Sequence, residues 1–259
     1  MQKKIAVIND LSGYGRCSLT VAIPVLSAMG HQCCPIPTAI LSNHTEFPVY
    51  FFDDYTEKMT TYTDKWKELG LSFDAIATGF LGSEAQIGIV MEIVQKLKAE
   101  KTFVVVDPVM GDHGHAYETY TPEMCEQMKE LVCMADVVLP NVTECCILTD
   151  TPYREENWTR KELLNMAMML RLMGAKSVVI TGVREGSCYT NVVLEQGQYD
   201  AKFIRTRSSG GERPGTGDVF SSVVAGAGFK RGGLPPGGWG GPPPVSVDHG
   251  HVEAAAPGV

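Results

Sequence analysis

Residues 212–222, ERPGTGDVFSS, place two glycines, a threonine and an acid directly before an apolar run. A Gly-Thr-Gly loop can turn successive backbone N–H groups to one side, and a helix that follows adds its positive N-terminal end. Gly215, Thr216 and Gly217 are therefore predicted to form an anion site that suits a phosphoryl group without a lysine. Asp218 would lie beside this site, at the start of the helix.

The spacing leaves two interpretations of Asp218 open. An aspartate at a helix start is a common N-cap, because its side chain accepts a hydrogen bond from a free backbone N–H. The same carboxylate beside a phosphate site could act as a general base, taking a proton from a substrate hydroxyl that attacks the γ-phosphate.

A second group of polar residues follows two apolar runs in the middle of the chain. Asp107 follows the run TFVVV, and Asn141 and Glu144 belong to LPNVTE. Mg²⁺ favours carboxylates, water and phosphate oxygens, so these residues could hold a magnesium ion. They could equally be ordinary turn and helix-cap residues, with Asn141 as the cap and Glu144 in the first turn. Both interpretations stay open from the spacing.

Other motifs are weaker. The run Gly13-Tyr14-Gly15 resembles half of a dinucleotide-binding fingerprint, but the third glycine is missing, and a tight strand-to-helix turn explains it as well. The classical P-loop pattern does not occur. The sequence has eight cysteines and no C-x-x-C, so the usual metal-ligand spacings are absent. We expect reduced thiols that fill a core.

The elements that must position these residues alternate along the chain. Apolar runs of strand length are separated by helical patterns, and several of the runs are rich in valine, which is typical of buried parallel strands. This alternation predicts an α/β fold with a mostly parallel sheet covered by helices on both faces, followed by a hairpin with its turn near Gly197. The site should lie at the carboxyl ends of the strands. The polar residues expected there are Asn9, Asp10, residues 42–46, Asp107, Asn141, Glu144, Thr181, Gly182 and residues 215–218.

Charge and hydropathy narrow the functional classes. The net charge is −8 and the chain lacks runs of lysine or arginine, which argues against nucleic acid or an anionic membrane as a partner. No apolar run approaches the roughly 20 residues that span a bilayer, and the N-terminal residues MQKKIAVIND resemble a first strand rather than a signal peptide. From Gly228 the sequence holds nine glycines and six prolines in 32 residues, a composition that predicts disorder.

Three motifs together resemble a known superfamily. DPVMG at 107–111, PNVTE at 140–144 and GTGD at 215–218 occur in the order typical of ribokinase-like proteins. Within that superfamily, the segments INDLSGYGR, LSNHTEF and TGFLGS resemble the pyridoxal/pyridoxamine kinases. The resemblance covers about residues 4–227. Hydroxymethylpyrimidine kinases share DPVM and GTGD but lack the SNHT pattern.

The resemblance implies a ribokinase-like three-layer αβα sandwich with a mostly parallel central sheet and a small β-hairpin. Residues 1–227 would form the kinase domain, and residues 228–259 a Gly/Pro-rich tail where relatives continue with about two more helices. The implied reaction is ATP-dependent phosphorylation of the 5′-hydroxymethyl group of pyridoxal, pyridoxamine or pyridoxine. The reaction would need Mg²⁺, with a monovalent cation such as K⁺ as a further candidate cofactor. The resemblance also implies a cytoplasmic homodimer. A hydroxymethylpyrimidine (phosphate) kinase and a catalytically impaired vitamin-binding remnant remain as alternatives.

The resemblance also assigns roles to residues. Asp218 matches the catalytic base, and Gly215, Thr216 and Gly217 match the anion hole. Asp107 and Glu144 match positions near the ATP phosphates and Mg²⁺, with Asn141 in the same motif and Thr181 at an ATP contact. Residues 110–117 would be a flexible lid over the phosphates. The residues matched to the vitamer pocket are Asp10, where many relatives have serine, His44, Thr45, Glu46 and Phe80.

Overall fold

The structure is a computed structural model that describes residues 2–45, 47–208 and 213–228. The predictions for Glu46 and for the tail from residue 229 onward lie outside the described residues. Strands and helices alternate as the sequence predicts. The helices are α1 (Ser18–Ala28), α2 (Thr56–Glu68), α3 (Glu84–Leu97), α4 (Pro122–Cys133), α5 (Val142–Leu148), α6 (Arg160–Met173) and α7 (Thr216–Ala227). The strands are β1 (Lys4–Tyr14), β2 (Gln32–Asn43), β3 (Phe52–Asp54), β4 (Ala75–Thr78), β5 (Phe103–Val106), β6 (Gly111–Asp112), β7 (His115–Ala116), β8 (Val137–Val138), β9 (Ser177–Glu185), β10 (Cys188–Leu194) and β11 (Lys202–Arg207).

The central sheet has the strand order β11-β10-β9-β8-β5-β4-β1-β2-β3. Its six middle strands, from β9 to β2, pair in parallel, and the antiparallel pairs lie at the two edges. This confirms the predicted mostly parallel sheet. The hairpin predicted near Gly197 is the connection between β10 and β11, and Gly197 adopts a φ of 78° there.

Helices cover both faces of the sheet, because alternate strand residues point to opposite sides. Val104 and Val106 pack in one core with residues of α2 to α6, whereas Val105 packs in a second core with α1 and α7. This alternation explains why the strand reads as a continuous apolar run: both of its faces are buried. The three layers predicted from the sequence are therefore present.

The first strand is longer than predicted. The sequence predicts that the strand ends near Asn9 and Asp10, but β1 continues to Tyr14. It pairs with β4 only as far as Ile8 and then follows β2, with a shift in register between Asn9 and Leu11. Between these pairs β2 carries one more residue than β1, and an irregularity of this kind re-aims the side chains beside it. Asn9 and Asp10 therefore lie within the strand, where it leaves β4, and not in a loop after it.

Two further elements differ in detail from the sequence expectation. Helix α7 begins at Thr216 rather than at Asp218, because Gly215 supplies the N-cap in a left-handed conformation with φ of 84°. The predicted lid, residues 110–117, contains a two-stranded hairpin in which Gly111 pairs with Ala116. All eight cysteines are free thiols. Among the described helices, none has the length and apolar character that crossing a bilayer requires.

Candidate active site

Asp218 lies in the first turn of α7 with both carboxylate oxygens held. Its Oδ1 accepts a hydrogen bond from the Asn9 side-chain amide at 3.1 Å, and its Oδ2 accepts one from the backbone N–H of Ser18 at 2.8 Å. The N-cap of this helix is Gly215, which has no side chain to make a capping bond. The capping interpretation of Asp218 is therefore wrong. Its carboxylate faces β1 and α1 instead.

Ser18 occupies an unusual backbone conformation that joins two acids. Its φ is 52°, a region that a residue other than glycine rarely adopts and that costs of the order of 1–3 kcal/mol. In this conformation the Ser18 N–H donates to Asp218 while its hydroxyl donates to Asp10. Asp10 is only 6% exposed and also accepts a hydrogen bond from the Ser12 hydroxyl at 2.9 Å. One strained residue thus links the predicted vitamer pocket to the predicted base.

The surroundings of Asp218 make it more basic than an ordinary aspartate. Burial raises its pKa, and the negative charge of Asp10 raises it further, while the hydrogen bonds from Ser18 and Asn9 act in the opposite direction. A base whose pKa moves toward the working pH accepts a proton more readily in a transition state. The geometry and the electrostatics therefore both suit proton abstraction.

The two glycines of the predicted phosphate loop differ in what they do. A Cβ on Gly215 would stand 1.9 Å from the Arg16 carbonyl oxygen, so the start of α7 packs directly on the connection between β1 and α1. A Cβ on Gly217 would meet nothing within 4 Å. Gly215 therefore serves close packing and a left-handed turn. Gly217 borders open space at the N-terminus of the helix, where an anion is favoured.

Asn141 and Glu144 form a capping box at the start of α5. The Asn141 side chain accepts from the Glu144 N–H at 2.9 Å, and Glu144 accepts from the Asn141 N–H at 2.8 Å. The cap interpretation is thus correct, but the pair does more than cap. Glu144 also accepts from the Met110 N–H at 3.0 Å, and the Asn141 amide donates to the Gly111 carbonyl at 2.9 Å. The capping box therefore anchors the first strand of the hairpin.

Glu144 is buried and Asp107 is partly buried, so a negative charge on either side chain is disfavoured. Burial raises the pKa of Glu144 to about 7. Burial also raises the pKa of Asp107 well above its ordinary value, and the charges of Glu144 and Asp218 raise it further. A bound cation would relieve this repulsion. The described residues contain no cluster of three or more His, Cys, Asp or Glu that could hold a metal ion alone. The donors fit Mg²⁺ that takes one or two carboxylates, with phosphates and water completing its shell.

The remaining predicted residues lie at the same edge of the sheet. Thr181 forms a parallel bridge with Asn141, and its N–H donates to the Pro140 carbonyl at 2.9 Å. The Phe80 N–H donates to the Asn9 side chain at 2.9 Å, beside the base.

At the end of β2, His44 and Thr45 lie near the surface. A Cβ on Gly15 would stand 2.3 Å from the His44 ring, so that glycine is needed for the two to approach. The His44 ring also packs on Phe47, with 4.6 Å between ring centroids. Thr45 is exposed.

Sequence reasoning assigned no role to Asn9 or Ser18. Asn9 was recognisable only as a polar residue near a strand end, and its contact with Asp218 lies where β1 leaves β4 and the register with β2 shifts. Ser18 carries no local signal for a positive φ, since serine shows no strong preference for that region.

This arrangement defines a class: an α/β enzyme whose site lies at the carboxyl ends of parallel strands, with a carboxylate fixed beside a glycine loop and a helix N-terminus. The profile of the family described as phosphomethylpyrimidine kinase matches residues 22–234. The chain belongs to this family, and it is an enzyme of the kinase class.

Several of the proteins similar to this chain are pyridoxal kinases. Pyridoxal kinase from Dictyostelium discoideum is 27% identical over 243 residues, which cover 87% of this chain and 78% of the relative. Among solved structures, pyridoxal kinase from Lactobacillus plantarum is 30% identical with a TM-score of 0.80, covering 88% of this chain and 80% of that one. A Bacteroides thetaiotaomicron protein, provisionally assigned as a phosphomethylpyrimidine kinase and solved with pyridoxal, is 40% identical with a TM-score of 0.85. That match covers 91% of this chain and 83% of the other.

Proposed function

We propose that this protein transfers the γ-phosphoryl group of ATP to the 5′-hydroxymethyl group of pyridoxal, pyridoxamine or pyridoxine. The observation that carries the proposal is the Asp218 carboxylate, held by Asn9 and Ser18 beside the glycine loop. The similarity to pyridoxal kinases over most of the chain supports the choice of substrate.

In the proposed reaction, the oxygen of the substrate's 5′-hydroxyl group attacks the γ-phosphorus of ATP while Asp218 accepts the proton of that hydroxyl. The bond between that phosphorus and the bridging oxygen of ADP breaks, and ADP leaves. The backbone of Gly215, Thr216 and Gly217 at the start of α7 would stabilise the negative charge on the transferred group. Catalysis is then mainly positioning and charge stabilisation, because little covalent chemistry falls to the protein.

Asp107 and Glu144 are the residues that would hold Mg²⁺, which supplies charge neutralisation at the phosphates when bound. Burial and neighbouring acids raise the pKa values of both groups, so their ionised forms are disfavoured unless a cation such as Mg²⁺ balances the charge. Asn141 and Thr181 lie beside this pair and would face the nucleotide. A requirement for K⁺ remains a prediction from the family resemblance alone.

The vitamer would lie between the end of β2 and the connection after β4. Phe80 would line the ring, and Asp10 would hydrogen-bond the pyridine edge from its buried position in β1. His44 and Thr45 would close the outer side. Thr45 is exposed in the structure. Its proposed contact with the vitamer would therefore form when the ligand binds.

Steady-state kinetics with the three B6 vitamers and with hydroxymethylpyrimidine test the substrate. We expect turnover of at least one vitamer, with ADP and the 5′-phosphate formed in equal amounts. Turnover of the pyrimidine without any vitamer would overturn the proposal in favour of the pyrimidine kinase. Calorimetric titration with pyridoxal and with ATP tests the vitamin-binding remnant, for which pyridoxal binding without ATP binding is the signature.

A homodimer is part of the proposal. Val49 and Phe51, in the segment before β3, are 81% and 63% exposed, and Tyr14 at the end of β1 is 69% exposed and packs on Phe47 of the same segment. Exposed apolar groups that lie close together are typical of a surface covered by a partner. Sedimentation equilibrium measures the assembly directly, and a monomer at assay concentration would remove this part of the proposal.

A further inference from the structure

We propose that Asn9 is a positioning residue that orients the Asp218 carboxylate and ties it to the backbone of Phe80 in the vitamer pocket. The inference rests on the proposed role of Asp218 as the base. It extends that role by naming the group that fixes where the base points.

Both the oxygen and the nitrogen of the Asn9 side-chain amide are hydrogen-bonded. The residue is 5% exposed, and its amide oxygen accepts from the Asp10 N–H at 3.0 Å and from the Phe80 N–H at 2.9 Å. Its amide nitrogen donates to Asp218 at 3.1 Å. One amide thus joins the irregular part of β1, the segment after β4 and the first turn of α7.

These partners also fix which way the amide faces. An asparagine carbonyl only accepts hydrogen bonds and its NH₂ group only donates them. The reversed amide would place its oxygen against a carboxylate and its NH₂ group against two N–H donors. Asn9 therefore presents a donor to Asp218 in a single orientation, which a charged or shorter residue could not reproduce.

The surrounding backbone leaves room for this amide and little else. A Cβ on Gly79 would stand 2.4 Å from the Asn9 amide nitrogen. Gly79 itself is fixed by a hydrogen bond from its N–H to the Ile8 carbonyl at 2.8 Å. The glycine at this position therefore allows the amide to pass between β4 and α7 and reach Asp218.

The charged groups around Asp218 make this donor important. The negative charge of Asp10 raises the pKa of Asp218, and Asp218 in turn raises that of Asp107. The described partners of the Asp218 carboxylate are neutral donors, one from Asn9 and one from the Ser18 backbone. Removing the first leaves one carboxylate oxygen facing other acids without its donor.

Two substitutions separate positioning from a purely structural role. Asn9→Asp keeps an oxygen that accepts from Asp10 and Phe80, but it replaces the donor to Asp218 with a second acid. Asn9→Ala removes all three bonds. For a purely structural residue, the variant with the lower Tm is also the one with the lower kcat, because both losses come from the same disruption of the fold.

If Asn9 positions the base, activity and stability follow opposite orders. We expect Asn9→Asp to lower kcat at pH 7 by about a hundredfold or more, with the KM for the vitamer within about threefold of wild type. We expect Asn9→Ala to lower kcat by about tenfold, to raise the KM for the vitamer and to have the lower Tm of the two. A kcat for Asn9→Asp equal to or above that of Asn9→Ala would overturn the proposal.

A third variant tests the same amide without replacing Asn9. Gly79→Ala leaves Asn9 and Asp218 chemically intact but displaces the amide by steric contact. We expect it to lower kcat by about tenfold alone and by less than about twofold in the Asn9→Ala background, since the amide it displaces is then absent. Additive effects in this double-mutant cycle would contradict the role of Asn9.

Thr38→Val is the matched control. It removes the hydroxyl that donates to the Phe80 carbonyl at 3.1 Å, on the opposite side of the same peptide segment, and Thr38 makes no described hydrogen bond to Asp218. We expect kcat within about threefold of wild type. If the proposed function is wrong, the wild-type protein turns over no vitamer. If only the role of Asn9 is wrong, the wild-type protein turns over a vitamer but the variants do not show the expected order of kcat.

Discussion

The Arg16 carbonyl oxygen lies 1.9 Å from the position that a Cβ on Gly215 would occupy. This contact joins the start of α7, which carries Asp218, to the connection that leads into α1. Because Gly215 also has a φ of 84°, two independent constraints act on one residue. This close contact fixes the position of the predicted phosphate loop and of Asp218, which follows it in α7, relative to the connection before α1.

We therefore expect Gly215→Ala to lower both the Tm and kcat, the latter by about a hundredfold. The added methyl group would push the first turn of α7 away from Arg16. Gly217→Ala is the control, since a Cβ there meets nothing within 4 Å and alanine is the better helix former. Differential scanning calorimetry should show a lower Tm for Gly215→Ala and an unchanged or higher Tm for Gly217→Ala. Equal losses would mean that contact with Arg16 is not what requires glycine.

For Asp218→Asn we expect a loss of kcat of about a thousandfold or more, with the KM for ATP and for the vitamer within a few-fold of wild type. The amide keeps the shape of the side chain but cannot accept the substrate proton. Steady-state kinetics measures the split between kcat and KM. Turnover near the wild-type level would show that another group abstracts the proton.

Ser18→Ala should mainly weaken binding of the vitamer. It removes the hydroxyl that donates to Asp10, while the backbone N–H that donates to Asp218 remains. We expect the KM for the vitamer to rise by about three- to tenfold and kcat to change by less than about threefold.

Ser18→Gly is the matched variant for the backbone. It loses the same hydroxyl but removes the cost of a positive φ, so we expect its Tm to exceed that of Ser18→Ala by a few degrees. A lower Tm for the glycine variant would show that the positive φ is not strained in this protein.

The stability of the metal-free protein should fall as pH rises from about 4.5 to about 7, the ordinary and raised pKa values of Glu144. Between these values the folded protein holds a proton that the unfolded chain has lost, so deprotonation at higher pH favours unfolding. The pKa of Asp107 is also raised in the folded protein, so its deprotonation likewise lowers stability as pH rises. Urea unfolding in the presence of a chelator measures this slope, and Glu144→Gln should make it shallower.

Glu162 provides a control at the equivalent capping-box position of α6. Hydrogen bonds from Arg154 and Thr159 lower its pKa to about 2, so its contribution to stability is present above about 4.5 and is lost as pH falls toward 2. Glu162→Gln should therefore leave the slope between pH 5 and pH 7 unchanged. If both substitutions flatten that region equally, burial of Glu144 is not the cause of the slope.

The sequence predicted the alternating strands and helices because hydrophobic periodicity is a local property of each segment. The same local patterns placed Asp107, Asn141 and Glu144 after apolar runs, and GTGD at the start of a helix. The rule that parallel strands end at one edge then predicted that these residues converge. Family resemblance, and not spacing, supplied the roles of the vitamer-pocket residues.

Tertiary structure alone decided how the base is held. Asn9 and Ser18 reach Asp218 across about 200 positions of the chain, and neither contact has a local signature. Asn9 lies where β1 ends its pairing with β4 and continues only with β2, and where the register between β1 and β2 shifts. The capping interpretation of Asp218 was excluded by the backbone of Gly215, whose close approach to Arg16 depends on how α7 packs. Local patterns specify which residues end each strand, but the direction of a side chain depends on neighbours that only the folded chain supplies.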